Sequence, residues 1–139
     1  GWVGTRTGFY GGGGLWSKPE DYMQFAQMLV NGGQLNGKRL LGPRTVDLMS
    51  SKHVGDLYAG AGDGQRNKGM GFGLTVEVVM DSVAANRRES NGSFGWDGAF
   101  GTHFWVDRKE QLVGLLKVQE SNGPLMRDFE DAVMQAIME

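Results

Sequence analysis

The residues whose types and spacing best suit chemistry lie together in Gly95-Trp96-Asp97-Gly98-Ala99-Phe100-Gly101-Thr102. Glycine at a short strand edge lets a ligand approach the backbone closely, because no Cβ stands in the way. A main-chain N–H on such an edge can point at a substrate carbonyl oxygen and act as one donor of an oxyanion hole. The same glycines also suit a tight β-connection that needs small residues for steric reasons. The spacing taken alone favours that second explanation.

Other chemistries fail on particular residues. Asn91-Gly92-Ser93-Phe94-Gly95 is close to the G-x-S-x-G nucleophile elbow, but Asn91 stands where the first glycine must be. Ser93 has no Lys or His partner in view and reads as a loop hydroxyl. Gly69, Gly71 and Gly73 alternate without forming G-x-G-x-x-G before a helix. Gly37-Lys38 runs into Arg39 and not Ser or Thr, so no P-loop is present. His53 and His103 lack H-E-x-x-H spacing, and His103 reads as a neutral surface or strand histidine. Asp56, Asp63 and Asp81 do not fit a calcium loop. The absence of cysteine removes thiolate catalysis, disulfides and Cys-based zinc sites. The 14 basic and 16 acidic residues are mixed, with no basic patch to suggest nucleic acid. No apolar run approaches the roughly 18 residues of a membrane span.

The elements that must position the glycine-rich edge can be read from periodicity. Glycine supplies 24 of the 139 residues, and hydrophobic residues supply 40%, enough for a packed core. Residues 1–14 hold seven glycines and read as an extended segment. A helix is expected at about 18–31, with Ser17 and Glu20 as a capping box and Tyr22, Phe25, Ala26 and Leu29 facing the core. Asn31-Gly32-Gly33 should stop it. A turn at Asn36-Gly37 and a helix at about 43–50, with Val46 and Met49 inward, follow. Residues 59–73 read as a glycine-rich loop passing into one strand at about 71–80, and residues 81–92 as a loop. Strands are expected at about 93–97, 101–107 and 112–118, the last with both faces covered. A closing helix at about 124–138 should bury Leu125, Phe129, Ala132, Val133, Ala136 and Ile137. Three antiparallel strands and then a helix indicate an α+β fold, an antiparallel sheet packed with helices.

Four stretches, in order, resemble the C-terminal part of the class C β-lactamase-like serine hydrolases, which include penicillin-binding-protein-like peptidases and many esterases. They are Gly11-Gly12-Gly13-Gly14-Leu15-Trp16-Ser17 leading into Phe25-Ala26-Gln27-Met28-Leu29; Leu40-Leu41-Gly42-Pro43-Arg44-Thr45-Val46; Gly69-Met70-Gly71-Phe72-Gly73-Leu74; and Gly95-Trp96-Asp97-Gly98-Ala99 through Phe104-Trp105-Val106-Asp107. The resemblance implies a β-lactamase-like (transpeptidase-like) fold and acyl-serine transfer with no metal and no cofactor. Trp96-Asp97-Gly98 occupies the place of the family's Lys-Thr-Gly, or of Trp-Gly-Gly in many esterases. By that match Trp96 walls the acyl pocket, Asp97 and Gly98 join it in binding substrate, and the Ala99 backbone N–H is an oxyanion donor. Trp96 in place of the motif lysine removes a cation for a substrate carboxylate, which favours neutral esters or amides over β-lactams. Asp97 departs from the small residue usual in the esterases. Arg108 replaces a proline often found after Trp-Val-Asp, a change expected to affect only the turn.

The family's S-x-x-K and Y-x-N motifs do not occur in the chain. In the family both lie N-terminal to the matched region. The 139 residues are therefore expected to be a C-terminal part, without the nucleophile helix and two sheet strands, and inactive alone. Self-association, or pairing with the missing N-terminal part, follows from an exposed sheet edge. The alternative is a non-catalytic binding or assembly module kept for its fold.

Overall fold

The computed structural model describes residues 15–59 and 67–137, so the glycine-rich segment 1–14 and residues 60–66 of the glycine-rich stretch 59–73 lie outside the described residues. Helix α1 spans Pro19–Val30 and buries Ala26, Met28, Leu29 and Val30. The expected capping box does not form. The N-cap is Lys18, one residue late, so Glu20 falls a position short of the place from which it would reach back, and Ser17 Oγ instead donates to Lys18 O at 3.1 Å. Glu20 and Asp21 still place negative charge at the positive end of the helix dipole. Phe25 is 42% exposed, at the margin of the buried stripe, and meets Tyr22 edge-on. The stop is as expected: Gly33 adopts φ +94° and donates to Met28 O at 2.8 Å.

A two-stranded ribbon, β1 (Gln34–Leu35) and β2 (Lys38–Arg39), leads to helix α2 (Pro43–Met49), which buries Val46. The main sheet is five-stranded and antiparallel, in the order β3 (Met70–Phe72), β4 (Glu77–Val79), β5 (Phe94–Asp97), β6 (His103–Asp107), β7 (Leu112–Leu116). The single strand expected at 71–80 is thus two strands of a hairpin. Gly73 N donates to Val76 O at 2.9 Å, and Leu74 N donates to Met49 O at 2.9 Å, which pulls the chain out of line. Thr75 takes φ +73°, an uncommon conformation for a β-branched residue, and reverses its direction. The loop expected at 81–92 contains a short helix, α3 (Ser82–Ala85), whose N-cap Asp81 accepts from Ala84 N at 3.0 Å.

The two faces of the sheet differ chemically. Phe94, Phe104, Val106 and Val78 pack with Ala26, Leu29, Val30 and Val46 into the apolar core against α1 and α2. On the other face lies helix α4 (Gly123–Gln135), capped by Asn122. Its expected apolar stripe is only partly covered: Leu125 is 42% exposed, and the one fully buried residue of the helix is Glu130. Polar ties hold α4 down: Arg87 to Glu130 at 2.6 Å, Arg88 to Asp131 at 3.0 Å, and Arg127 to Asn86 O at 3.0 Å. Strand β7 is shorter than expected, and most of it is only half-buried because it ends the sheet.

Gly114 of β7 faces Trp105, and a Cβ added there would lie 2.0 Å from the indole ring. Gly114→Ala should therefore force the ring out of place and destabilise the fold by about 1–3 kcal/mol, measurable by urea unfolding.

Candidate active site

Strands β5 and β6 form a hairpin that pairs Phe94 with Val106, Gly95 with Trp105, Trp96 with Phe104 and Asp97 with His103. Gly95 is needed for this approach, since a Cβ there would sit 2.0 Å from Phe104 O. On its other side β5 pairs with β4 only at Phe94 and Gly95. From Trp96 onward, that edge of β5 has no strand beside it among the described residues.

The chain then turns tightly. Gly98 N donates to Thr102 O at 2.7 Å, and Gly101 N donates to Gly98 O at 3.0 Å. Gly101 takes φ +85° and lies so close to Glu120 O that a Cβ would be 2.3 Å away. The steric need for small residues is therefore met in full. Ala99 lies exposed in this turn, next to the open edge.

Trp96 is 43% exposed and meets Phe72 edge-on, with ring centres 5.2 Å apart, and Phe72 in turn lies 5.1 Å from Tyr58. The end of β5 stands between two depressions. One, of about 760 Å³, is lined by Trp96, Asp97, Tyr58, Glu77 and residues of α4. The other, of about 130 Å³, is lined by Trp96, Asp97, Gly98, Tyr22 and Lys117. Trp96, Asp97 and Gly98 are thus brought together at one strand end, with Ala99 following.

His103 is a strand residue, the first of β6, but it is neither a surface group nor neutral. It is 5% exposed, stacked on Trp105, with Nδ1 paired to Asp97 Oδ1 and Nε2 2.5 Å from Glu130 Oε1. Burial alone would lower its pKa. The hydrogen bonds and charges of Asp97 and Glu130 outweigh that and raise it to about 9, so the ring is an imidazolium at neutral pH. Asp97 accordingly bonds a buried cation and not merely nearby backbone. Burial pushes Glu130 up, but His103 and Arg87 together hold it below the ordinary glutamate value. Glu89 is pushed up, first by burial and then by the charge of Glu130. Arg87 is raised despite its burial, by Glu130, Glu89 and Glu77.

Two neighbours are structural. Asp107 is fully buried and accepts from the N–H groups of Ser90, Lys109 and Glu110, which closes the β6–β7 turn. Ser93 is 2% exposed, so its hydroxyl is an interior group and not an accessible loop hydroxyl. Arg108 does more than shape the turn: it reaches Asp47 of α2 at 2.5 Å. The His103 network was legible only in part. Once the hairpin register is known, Asp97 and His103 face each other, but Glu130 comes from a helix whose apolar pattern gives no hint that an acid is its buried residue.

The glycine-bearing strand edge, the antiparallel sheet and the helices on both faces are those of the β-lactamase-like fold. The chain belongs to the beta-lactamase family, whose model matches residues 2–137. Among its relatives is Protein Rv1367c of Mycobacterium tuberculosis, 35% identical over 116 residues, covering 78% of this chain and 28% of that protein. Esterase EstB of Burkholderia gladioli is 29% identical over 128 residues, covering 88% of this chain and 30% of the esterase. The chain thus spans less than a third of the length of these relatives. Among solved structures, EstCE1, a hydrolase with promiscuous acyltransferase activity, aligns with a TM-score of 0.70 and 24% identity over 83% of this chain and 29% of its own. Simvastatin synthase (LovD) from Aspergillus terreus aligns with a TM-score of 0.64 and 24% identity over 84% of this chain and 34% of its own. These two likenesses concern the fold.

Because the folded-state pKa of His103 is raised from 6.5 to about 9, its contribution to stability is fully present below pH 6.5 and is lost as pH rises through 9. The loss should amount to at most about 3 kcal/mol. Thermal unfolding of the chain should show a falling midpoint across that window, and His103→Gln should abolish the slope.

Proposed function

We propose that the chain forms one wall of the acyl site of a β-lactamase-like serine hydrolase of the esterase type, acting on neutral esters or amides. A serine Oγ attacks the substrate carbonyl carbon, and the carbonyl oxygen takes up the negative charge. The Ala99 N–H donates to that oxygen while Trp96 walls the acyl group and Asp97 and Gly98 border the substrate. The proton given up by the serine passes to the leaving oxygen or nitrogen as collapse expels the alcohol or amine, and water then attacks the acyl-serine, releasing the acid and returning a proton to the serine. The observation that carries this reading is the open edge of β5 from Trp96 onward, with the exposed Ala99 turn beside it. Its supports in sequence are the family match and the likeness to Esterase EstB. No serine in these 139 residues is followed by Lys three residues on, so the nucleophile of this reading comes from outside them, N-terminal to the matched region. The isolated chain then performs no acyl transfer.

A fluorophosphonate probe tests this directly. The isolated chain should remain unlabelled, whereas the protein extended by the residues encoded before Gly1 should label at a serine preceding Gly1. Stoichiometric labelling of a serine within the 139 residues would overturn the proposal. In the extended protein, Ala99→Pro removes the N–H and should lower kcat about 10²–10³-fold.

The other reading, a binding or assembly module, draws on one feature. Strand β7 ends the sheet, and among the described residues nothing pairs with its outer edge. An unpaired, half-apolar edge favours addition of another strand, from a second copy or from an N-terminal part. Light scattering on the isolated chain should then find an oligomer, and a stable monomer at high concentration would count against it.

A further inference from the structure

We infer, resting on the reading of the Gly98–Ala99 turn as half of an oxyanion hole, that Asp97 is a positioning residue for that turn, acting through His103 and, behind it, Glu130 of α4. Asp97 is the last residue of β5, and the turn follows it directly. Beyond Gly95 this strand is paired on the β6 side alone, at Trp96 with Phe104 and at Asp97 with His103. Backbone pairing by itself leaves such a strand end free to twist or fray. At Asp97 a second restraint is added, because its carboxylate bonds the ring of the same residue that its backbone opposes.

That ring is itself immobilised. It is buried, stacked on Trp105 at 5.4 Å, and tied at its far nitrogen to Glu130, which Arg87 holds at 2.6 Å. A continuous path of charged contacts therefore joins α4 to the residue that precedes the turn. Around His103 stand Asp97 from β5, Glu130 and Arg127 from α4, Arg87 and Glu89 from the segment after α3, and Glu77 from β4. The carboxylates outnumber the cations in this group, so the imidazolium is the form that the surroundings favour.

The protonation state of the ring decides how firmly the turn is held. An imidazolium carries an N–H on both nitrogens, one bonded to Asp97 and one ion-paired with Glu130. A neutral ring has one N–H. Glu130 is 4% exposed at its side chain and keeps Arg87 as a donor, whereas the Asp97 side chain is 50% exposed and can turn toward water. On deprotonation the ring keeps one N–H, and with the positive charge gone its tie to Asp97 weakens. The turn then loses the charged part of this restraint. A small residue at this position would provide no such link.

The test uses the ¹⁵N-labelled chain and a pH titration followed at the His103 ring nitrogens and at the Gly98 and Ala99 amides. The ring and both amides are expected to move together, with a shared midpoint at about 9. In Asp97→Asn the amide step should be lost while the ring still titrates. In Glu130→Gln the shared midpoint should fall by roughly one to three pH units, with ring and amides still moving together. Amides that stay still while the wild-type ring titrates would overturn the inference, and so would an amide step that survives unchanged in Asp97→Asn. The wild-type titration needs no variant to fold. It also reports a shift on the chain itself, so it stands or falls separately from the oxyanion reading, which the Ala99→Pro activity loss addresses.

Discussion

A buried imidazolium held between two carboxylates organises this molecule. His103 lies in the middle strand of the hairpin pair β5–β6–β7, almost wholly out of water, with Asp97 on one nitrogen and Glu130 on the other. Removing a charged ring from water is costly unless its partners are close and correctly directed. The partners come from a strand end and from a helix, so satisfying the ring fixes both. The weak apolar packing of α4 then becomes intelligible. The helix is held where Glu130 meets His103 and Arg87, and its exposed apolar residues contribute less to its placement.

The sheet divides the molecule into an apolar side and a charged side, and β6 serves both. Phe104 and Val106 point into the core beneath α1, while His103, Trp105 and Asp107 face the α4 side or close the turn. The apolar side gives the strands a fixed platform. The charged side gives specific directions, since each ion pair has particular partners at particular distances. The open end of β5 lies where the two sides meet, bordered by one depression on the α4 side and a smaller one on the α1 side. The strand end draws rigidity from the core and alignment from the charges.

The glycines of the site answer to packing first. Gly95 lets β6 approach, Gly98 leaves room for Thr102, and Gly101 lets the turn lie against Glu120. Close backbone packing and access for a ligand are compatible demands here, because the same missing Cβ atoms serve both. The chain belongs to the beta-lactamase family, and EstCE1 and LovD share its fold. The chain covers less than a third of the length of these curated relatives.

Local pattern was enough for much of the fold. The spacing of Ala26 and Leu29, the stop at Gly32-Gly33, the β6–β7 hairpin turn and the ordered motifs around Trp96-Asp97-Gly98 all follow from near neighbours in sequence, and these marked both the α+β class and the strand edge. Features set by distant residues were not legible. The break at Gly73–Val76 depends on Met49, the burial of Glu130 depends on how α4 meets the sheet, and the half-exposure of β7 depends on strand order. His103 marks the boundary most clearly. Its type and its opposition to Asp97 are properties of a hairpin, but its charge rests on Asp97 together with Glu130, 27 residues away in sequence, because carboxylates brought close in a low-dielectric interior hold the second proton on the ring.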